Sequence, residues 1–316
     1  MISPQARIVK LFLRLTVKRR MEKPSKTHTE GIRKLRASLG RFDGVNRRFT
    51  RGLEVVAVEG LVRGEWLLPS GAARDRAILF VHGGGYVACT PQTHRPLTTA
   101  LAKDSGVPVF AVDYRLAPEH PFPAALDDVL AAYDMLVTSG IPPNGIVLAG
   151  DSAGGGLVLS AAIALKNRGG SEPTVAGVIA YSPWTDLLAT GKTLVTNAKS
   201  DDMLVGSGVG TSARNYVHDD ALLGDPLASP LYGDLAGLPP LLIFASTVEI
   251  LLDDSRRFTE RARAAGTSVD LVLEPGMPHV WQIFVDVLPE AKRSVARSVA
   301  FVRSVLEPRK RVTVPR

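Results

Sequence analysis

The sequence predicts an α/β fold, and three observations carry that expectation. Short runs rich in β-branched and apolar residues alternate with stretches of helical periodicity along most of the 316-residue chain. The runs AILFV, PVFAV, IVLAG, AGVIAY and LLIFAS are too apolar to leave one face in water, as strands buried on both faces are. The stretches between them are long enough for crossover helices, which parallel strands require.

Before these runs, LEVVAV and GEWLL read as a leading antiparallel pair, and VDLVLE reads as the last strand. Helices are expected at 93–104, 123–139, 153–168, 254–265 and 289–306. The last shows the reasoning: Pro289 suits a first helical position, and Val295, Val299, Val302 and Leu306 form one stripe for packing on the sheet. Residues 186–222, rich in Gly, Ser, Thr and Asp, lack a strong period and read as an insertion. With an N-terminal segment, 1–45, they are expected to form a small cap over the carboxyl ends of the strands, leaving 46–185 and 223–316 as the core. Near the start, Ile8, Leu11, Phe12 and Leu15 recur at helical spacing while Arg7, Lys10, Arg14 and Lys18 occupy other faces. Such a basic amphipathic helix either packs its stripe on its own protein, as part of a lid, or lies on an anionic membrane surface.

Composition excludes several function classes. With 45% apolar and 22% charged residues and one cysteine, Cys89, there is neither a disulfide framework nor a zinc-spaced Cys/His cluster. A reducing, cytoplasmic compartment fits best. Residues 1–60 hold 15 Lys and Arg against 5 Asp and Glu, leaving 23 basic and 26 acidic residues for the remainder. The main body is thus near neutral, and no nucleic-acid partner is expected. Lys10 and Arg14 interrupt what a secretory leader would need as an apolar stretch, and no 18-residue apolar run could span a membrane.

The strongest motif is Gly150-Asp151-Ser152-Ala153-Gly154, a G-x-S-x-G between a strand and a helix pattern. The glycines allow a sharp turn that exposes the Ser152 hydroxyl, and the following helix aims its first amides at developing negative charge. Upstream, His82-Gly83-Gly84-Gly85 directly follows a strand, as loops supplying oxyanion-hole amides do. The expected donors are Gly83, Gly84 and Ala153, with His82 holding the loop and Asp151 bracing the turn. Among the histidines, His28, His82, His94, His120 and His218 read as structural or surface residues, whereas His279 lies in a Gly/Pro-rich loop after the last strand, above Ser152. Pro118, Pro121 and Pro123 fix a long turn that Arg115 is expected to lock through Glu119 or Asp127, and Cys89 reads as a packed residue.

HGGGYV, DYRLAPEHPFPAALDD, GDSAGG, DPLASPL, GLPPLLI and GMPH, in this order over roughly residues 55–305, resemble the hormone-sensitive-lipase-like esterases of the α/β-hydrolase superfamily. The resemblance implies a mostly parallel eight-stranded sheet with a small helical cap, no metal or organic cofactor, and hydrolysis of small hydrophobic esters with short to medium acyl chains. It makes Ser152 the nucleophile and His279 the base. The family's acid opens a D-x-L-x-D pattern, which here reads Glu249 to Asp253, so the acid is expected to be Glu249, with Asp253 as the alternative. Asp253 and Asp254 otherwise suit a helix start. Tyr86, Trp184 and Trp281 are candidate pocket residues. Lactone hydrolysis by the same triad, a non-catalytic small-ligand receptor and a membrane-surface lipid binder remain as alternative functions. A homodimer also remains open.

Overall fold

The computed structural model describes residues 2–22, 30–37, 39, 50, 52–169 and 174–307. Eight strands form one sheet: β1 (Leu53–Val58), β2 (Gly64–Pro69), β3 (Ala77–Val81), β4 (Val109–Val112), β5 (Ile146–Asp151), β6 (Gly177–Tyr181), β7 (Leu241–Ser246) and β8 (Val269–Glu274). Their spatial order is β1-β2-β4-β3-β5-β6-β7-β8. β2 lies antiparallel to both β1 and β4, and every pairing from β4 to β8 is parallel. Strands β3, β5, β6 and β7 are buried along their whole length, which is why they read as unbroken apolar runs.

Helices cover both faces. The longer ones are α1 (Pro4–Leu13), α2 (Arg95–Ser105), α3 (Ala124–Thr138), α4 (Ser152–Asn167), α5 (Gly206–Tyr216), α6 (Leu252–Ala264) and α7 (Pro289–Leu306). Alternation along β7 shows the layering: Leu242 and Phe244 join the cluster built with α2 and α7, while Leu241 and Ile243 join the one built with α3, α4 and α6. Val295, Val299 and Val302 of α7 are buried in the first cluster, as their spacing predicts.

Three expectations need correction. Arg115 is locked by Asp128, which accepts from its Nε and Nη2 and from its amide, whereas Glu119 pairs with Arg36 and Asp127 with neither. Asp128 lies one residue further along α3, on the face turned back to the proline turn. Inside the 186–222 segment, α5 forms despite its glycines, because Val209, Ala213 and Tyr216 fall on one buried face and tertiary packing overrides weak propensity.

The third correction concerns α1, which is docked with its polarity reversed. Ala6 and Leu13 face the protein, together with Lys10. Lys10 Nζ donates to Gly276 O (2.7 Å), and both Lys10 and Arg14 pair with Asp202. A π turn over Arg14–Lys18 shifts the helix phase, and buried Lys18 donates to Ala198 O and Asp201 O. The stripe Ile8, Leu11, Phe12 and Leu15 is left outside. No helix among the described residues is long and apolar enough to cross a membrane.

Phe244 stands between Tyr181 (centroids 5.3 Å apart) and Trp281 (6.3 Å) on the α2/α7 face. Phe244→Ala should lower unfolding free energy by about 3–5 kcal/mol, read from chemical denaturation midpoints at unchanged slope.

Candidate active site

The site is assembled at the carboxyl ends of β3, β5, β7 and β8. At the end of β5 the chain turns directly into α4, and Ser152 takes φ +53°, a left-handed conformation that a non-glycine residue holds only under constraint. The constraint is close packing. A Cβ on Gly150 would meet Gly154 O at 2.5 Å, and one on Gly154 would drive into Val81 O and His82 O. Both positions must therefore be glycine for the turn to lie against β3.

From the loop after β8, His279 Nε2 lies 2.8 Å from Ser152 Oγ. Its Nδ1 donates to Glu249 Oε2 at 2.7 Å, because a carboxylate can only accept, and this leaves Nε2 to accept the serine hydroxyl. His279 and Glu249 are buried, while Ser152 stays partly open. Burial alone pushes the imidazole pKa down. The hydrogen bond and charge of Glu249, helped by Asp201 and Asp151, outweigh it and leave the His279 pKa raised.

Glu249 folds back so that its Oε1 accepts the Ser246 amide at 2.7 Å, which absorbs its extra methylene. The 186–222 segment braces this loop: Asn197 Nδ2 donates to Glu249 O, Ser200 Oγ to Val248 O, and Asp201 accepts the Ile250 amide. Asp253, the alternative acid, instead accepts the Thr193 amide, and its own amide donates to Thr193 Oγ1.

The glycine loop departs from expectation at one residue. Gly83 N donates to Asp151 Oδ1 at 3.0 Å, so this amide is committed and cannot also point at a substrate oxygen. The next two, Gly84 (φ +114°) and Gly85 (φ +62°), lie in left-handed backbone beyond it, and Ala153 is the first residue after Ser152 at the start of α4. Gly83 therefore drops out as a candidate oxyanion donor, and the candidates become Gly84, Gly85 and Ala153. The triple glycine conceals which amide the neighbouring aspartate claims.

His82 behaves as a loop holder: it contacts Gly83 O through Nδ1 (2.7 Å) and stacks on Tyr114, whose hydroxyl donates to His82 O. Burial, with His94 nearby, pushes its pKa down to about 3 and keeps it neutral. His94 proves to be buried, with Nε2 3.1 Å from Asp151, so it shares that carboxylate with Gly83. Its isolated position in a connecting segment gave no sign of this role. His28 lies outside the described residues.

Of the candidate pocket residues, Tyr86 stacks face to face on Tyr216 (3.8 Å) and lies 5.5 Å from Trp184, next to the glycine loop. Tyr216 was missed because it belongs to the unpredicted helix α5. Trp281 is a correction. It is fully buried on the opposite face of the sheet, with its indole nitrogen donating to Ser294 Oγ, because the chain turns at Val280 (φ +51°) and aims it down into the α7 layer.

A serine held on a strained strand-to-helix turn and met by a histidine from the last strand's loop is an arrangement that α/β hydrolases use. The α/β-hydrolase-fold family model matches residues 78–283, and the chain belongs to that family. Within it, the chain is a hormone-sensitive-lipase-like esterase, a carboxylic ester hydrolase. It is 42% identical over 256 residues to an acetyl-hydrolase of Streptomyces hygroscopicus, covering 79% of this chain and 82% of that protein. An esterase of Acinetobacter venetianus is 40% identical over 244 residues, covering 77% and 80%. The crystal structure of an esterase from the bacterial hormone-sensitive lipase family superposes with a TM-score of 0.86 at 40% identity, covering 97% of this chain and all of that one.

Asp254 explains how Trp184 is held. Its buried Oδ1 accepts the amides of Thr185 and Asp186. Burial raises its pKa from the ordinary 3.8 to about 8, against the lowering effect of those amides. Between these values the folded protein binds the proton more tightly than the unfolded chain, so stability present at low pH is lost as pH rises toward about 8. Asp254→Asn keeps an acceptor for both amides and cannot ionise. Its melting temperature should fall less than the wild type's across that window.

Proposed function

We propose that the chain is a serine carboxylesterase acting through an acyl-enzyme on small hydrophobic esters with short to medium acyl chains. The observation that carries this reading is the unbroken hydrogen-bond chain from Ser152 through His279 to Glu249, at 2.8 and 2.7 Å.

In this mechanism His279 Nε2 takes the proton as Ser152 Oγ attacks the ester carbonyl carbon. The carbonyl oxygen becomes an oxyanion that the amides of Gly84, Gly85 and Ala153 hold. Glu249 keeps the imidazole oriented and stabilises the imidazolium. Protonated His279 then donates to the departing alkoxide, leaving the acyl group on Ser152. Water, deprotonated by the same histidine, attacks that ester and releases the acid. Tyr86 and Trp184 would form an aromatic wall beside the glycine loop. The acetyl-hydrolase relative supports acyl groups at the short end of the range.

Hydrolysis of p-nitrophenyl esters of increasing acyl length tests the reading. Ser152→Ala should lose about 10³-fold or more in kcat with the fold intact. An alanine variant that still turned over would place the chemistry elsewhere.

The pH profile supplies a second test. Activity should fall toward acid as His279 takes up its proton, at a pH above that of an ordinary imidazole. Glu249→Gln removes the charge that raises this pKa, so the acid limb should move to lower pH while kcat drops by about 10²-fold or more.

A further inference from the structure

Helix α1 turns its apolar side to the outside. Ile8 is 69% exposed, Leu11 58% and Phe12 52%, three large side chains of α1, and Leu15 in the π turn that continues it is 55% exposed. Surface helices normally bury such a stripe, and a contiguous exposed patch of this kind marks an interaction surface. The reversal is enforced from below, because three basic residues that would suit solvent are engaged. Lys10 holds Gly276 O, Lys10 and Arg14 hold Asp202, and Lys18 holds the carbonyls of Ala198 and Asp201.

The charge around the patch indicates its occupant. Of the six Lys and Arg between residues 2 and 22, Lys10, Arg14 and Lys18 are held beneath the helix, and Glu22 is the one acidic residue of the stretch. Arg7, on the flank, and Arg19, beyond the π turn, are exposed. A second copy of the chain meeting this face across a two-fold axis would bring like arginines together. An anionic amphiphilic surface takes both features at once, apolar side chains among acyl chains and arginines on headgroup phosphates. We propose that the outward face of α1 docks the enzyme onto an anionic lipid surface.

The docked helix is also joined to the candidate triad. Gly276 lies three residues before His279, and the segment that Lys18 grips supplies Asn197, Ser200 and Asp201 to the Glu249 loop. Docking would therefore bring the loops of the site to the lipid boundary as one body. The proposal does not depend on ester hydrolysis, and its failure would leave the triad reading untouched.

Co-sedimentation of the full chain with phosphatidylcholine vesicles, with and without phosphatidylglycerol, tests it. Binding should require phosphatidylglycerol and weaken with salt. Leu11→Gln/Phe12→Gln should reduce the bound fraction about tenfold or more at an unchanged melting temperature. Arg7→Gln/Arg19→Gln should reduce it severalfold while flattening the salt dependence. Absence of wild-type binding, or equal binding by Leu11→Gln/Phe12→Gln, would overturn the proposal. So would a wild-type dimer that Leu11→Gln/Phe12→Gln dissociates without any vesicle binding, which would assign the face to a second copy.

Discussion

The close approach of β3, β5 and α4 at Ser152 is the constraint on which the site depends. A strand that turned gently into its helix would bury the serine against the sheet. The φ of +53° at Ser152 instead projects the hydroxyl outward, and it persists because Gly150 and Gly154 let the turn lie against Val81 and His82 without side chains between. The strain is local, while its support is distributed through strands buried along their whole length. The same contact brings β3's glycine loop beside Ser152, so one packing decision positions both the proposed attacking atom and the amides proposed to receive the oxyanion.

Around that turn, carboxylates act mainly as anchors for backbone. Asp151 accepts the Gly83 amide, Asp201 the amides of Ile250, Met203 and Leu204, Asp254 those of Thr185 and Asp186, and Asp186 those of Leu188 and Thr190. Each is buried. Loops cannot satisfy their amides by ladder pairing, and an isolated buried N–H is costly, so a short side chain with two acceptor oxygens is an effective remedy. This clarifies the cluster Glu249, Asp253 and Asp254. All three accept hydrogen bonds, but only Glu249 has one oxygen on a backbone amide and the other on an imidazole.

What the sequence made legible follows from how local each signal is. Strand runs such as AILFV and the stripe of α7 depend on burial of consecutive or periodic positions, and they appear at those residues. Ser152 and His279 sit in motifs whose geometry is fixed by neighbouring glycines and prolines, and they meet as expected. Legibility failed where one tertiary contact chose between equivalent residues. Asp151 takes the first glycine amide rather than a later one, Arg115 takes Asp128 rather than Asp127, and the turn at Val280 sends Trp281 to the far face of the sheet. Helix α1 failed differently. Periodicity located its two faces, yet which face docks was decided by acceptors far away in sequence, Asp202 and the carbonyls of Ala198, Asp201 and Gly276.

The glutamate at position 249 draws these strands together. A longer acid has one more rotatable bond, so a loop placed for aspartate would leave its carboxylate less defined. Here the Ser246 amide fixes one oxygen, and the loop's carbonyls are fixed by Asn197 and Ser200. Asp201, which holds Ile250, is itself reached through its carbonyl by Lys18. The geometry of Glu249 thus passes through the 186–222 segment to the N-terminal helix, and residues remote from Ser152 belong to its support. On this reading Lys18 is buried not as a misplaced surface cation but as the last member of a chain of contacts that ends on the imidazole of His279.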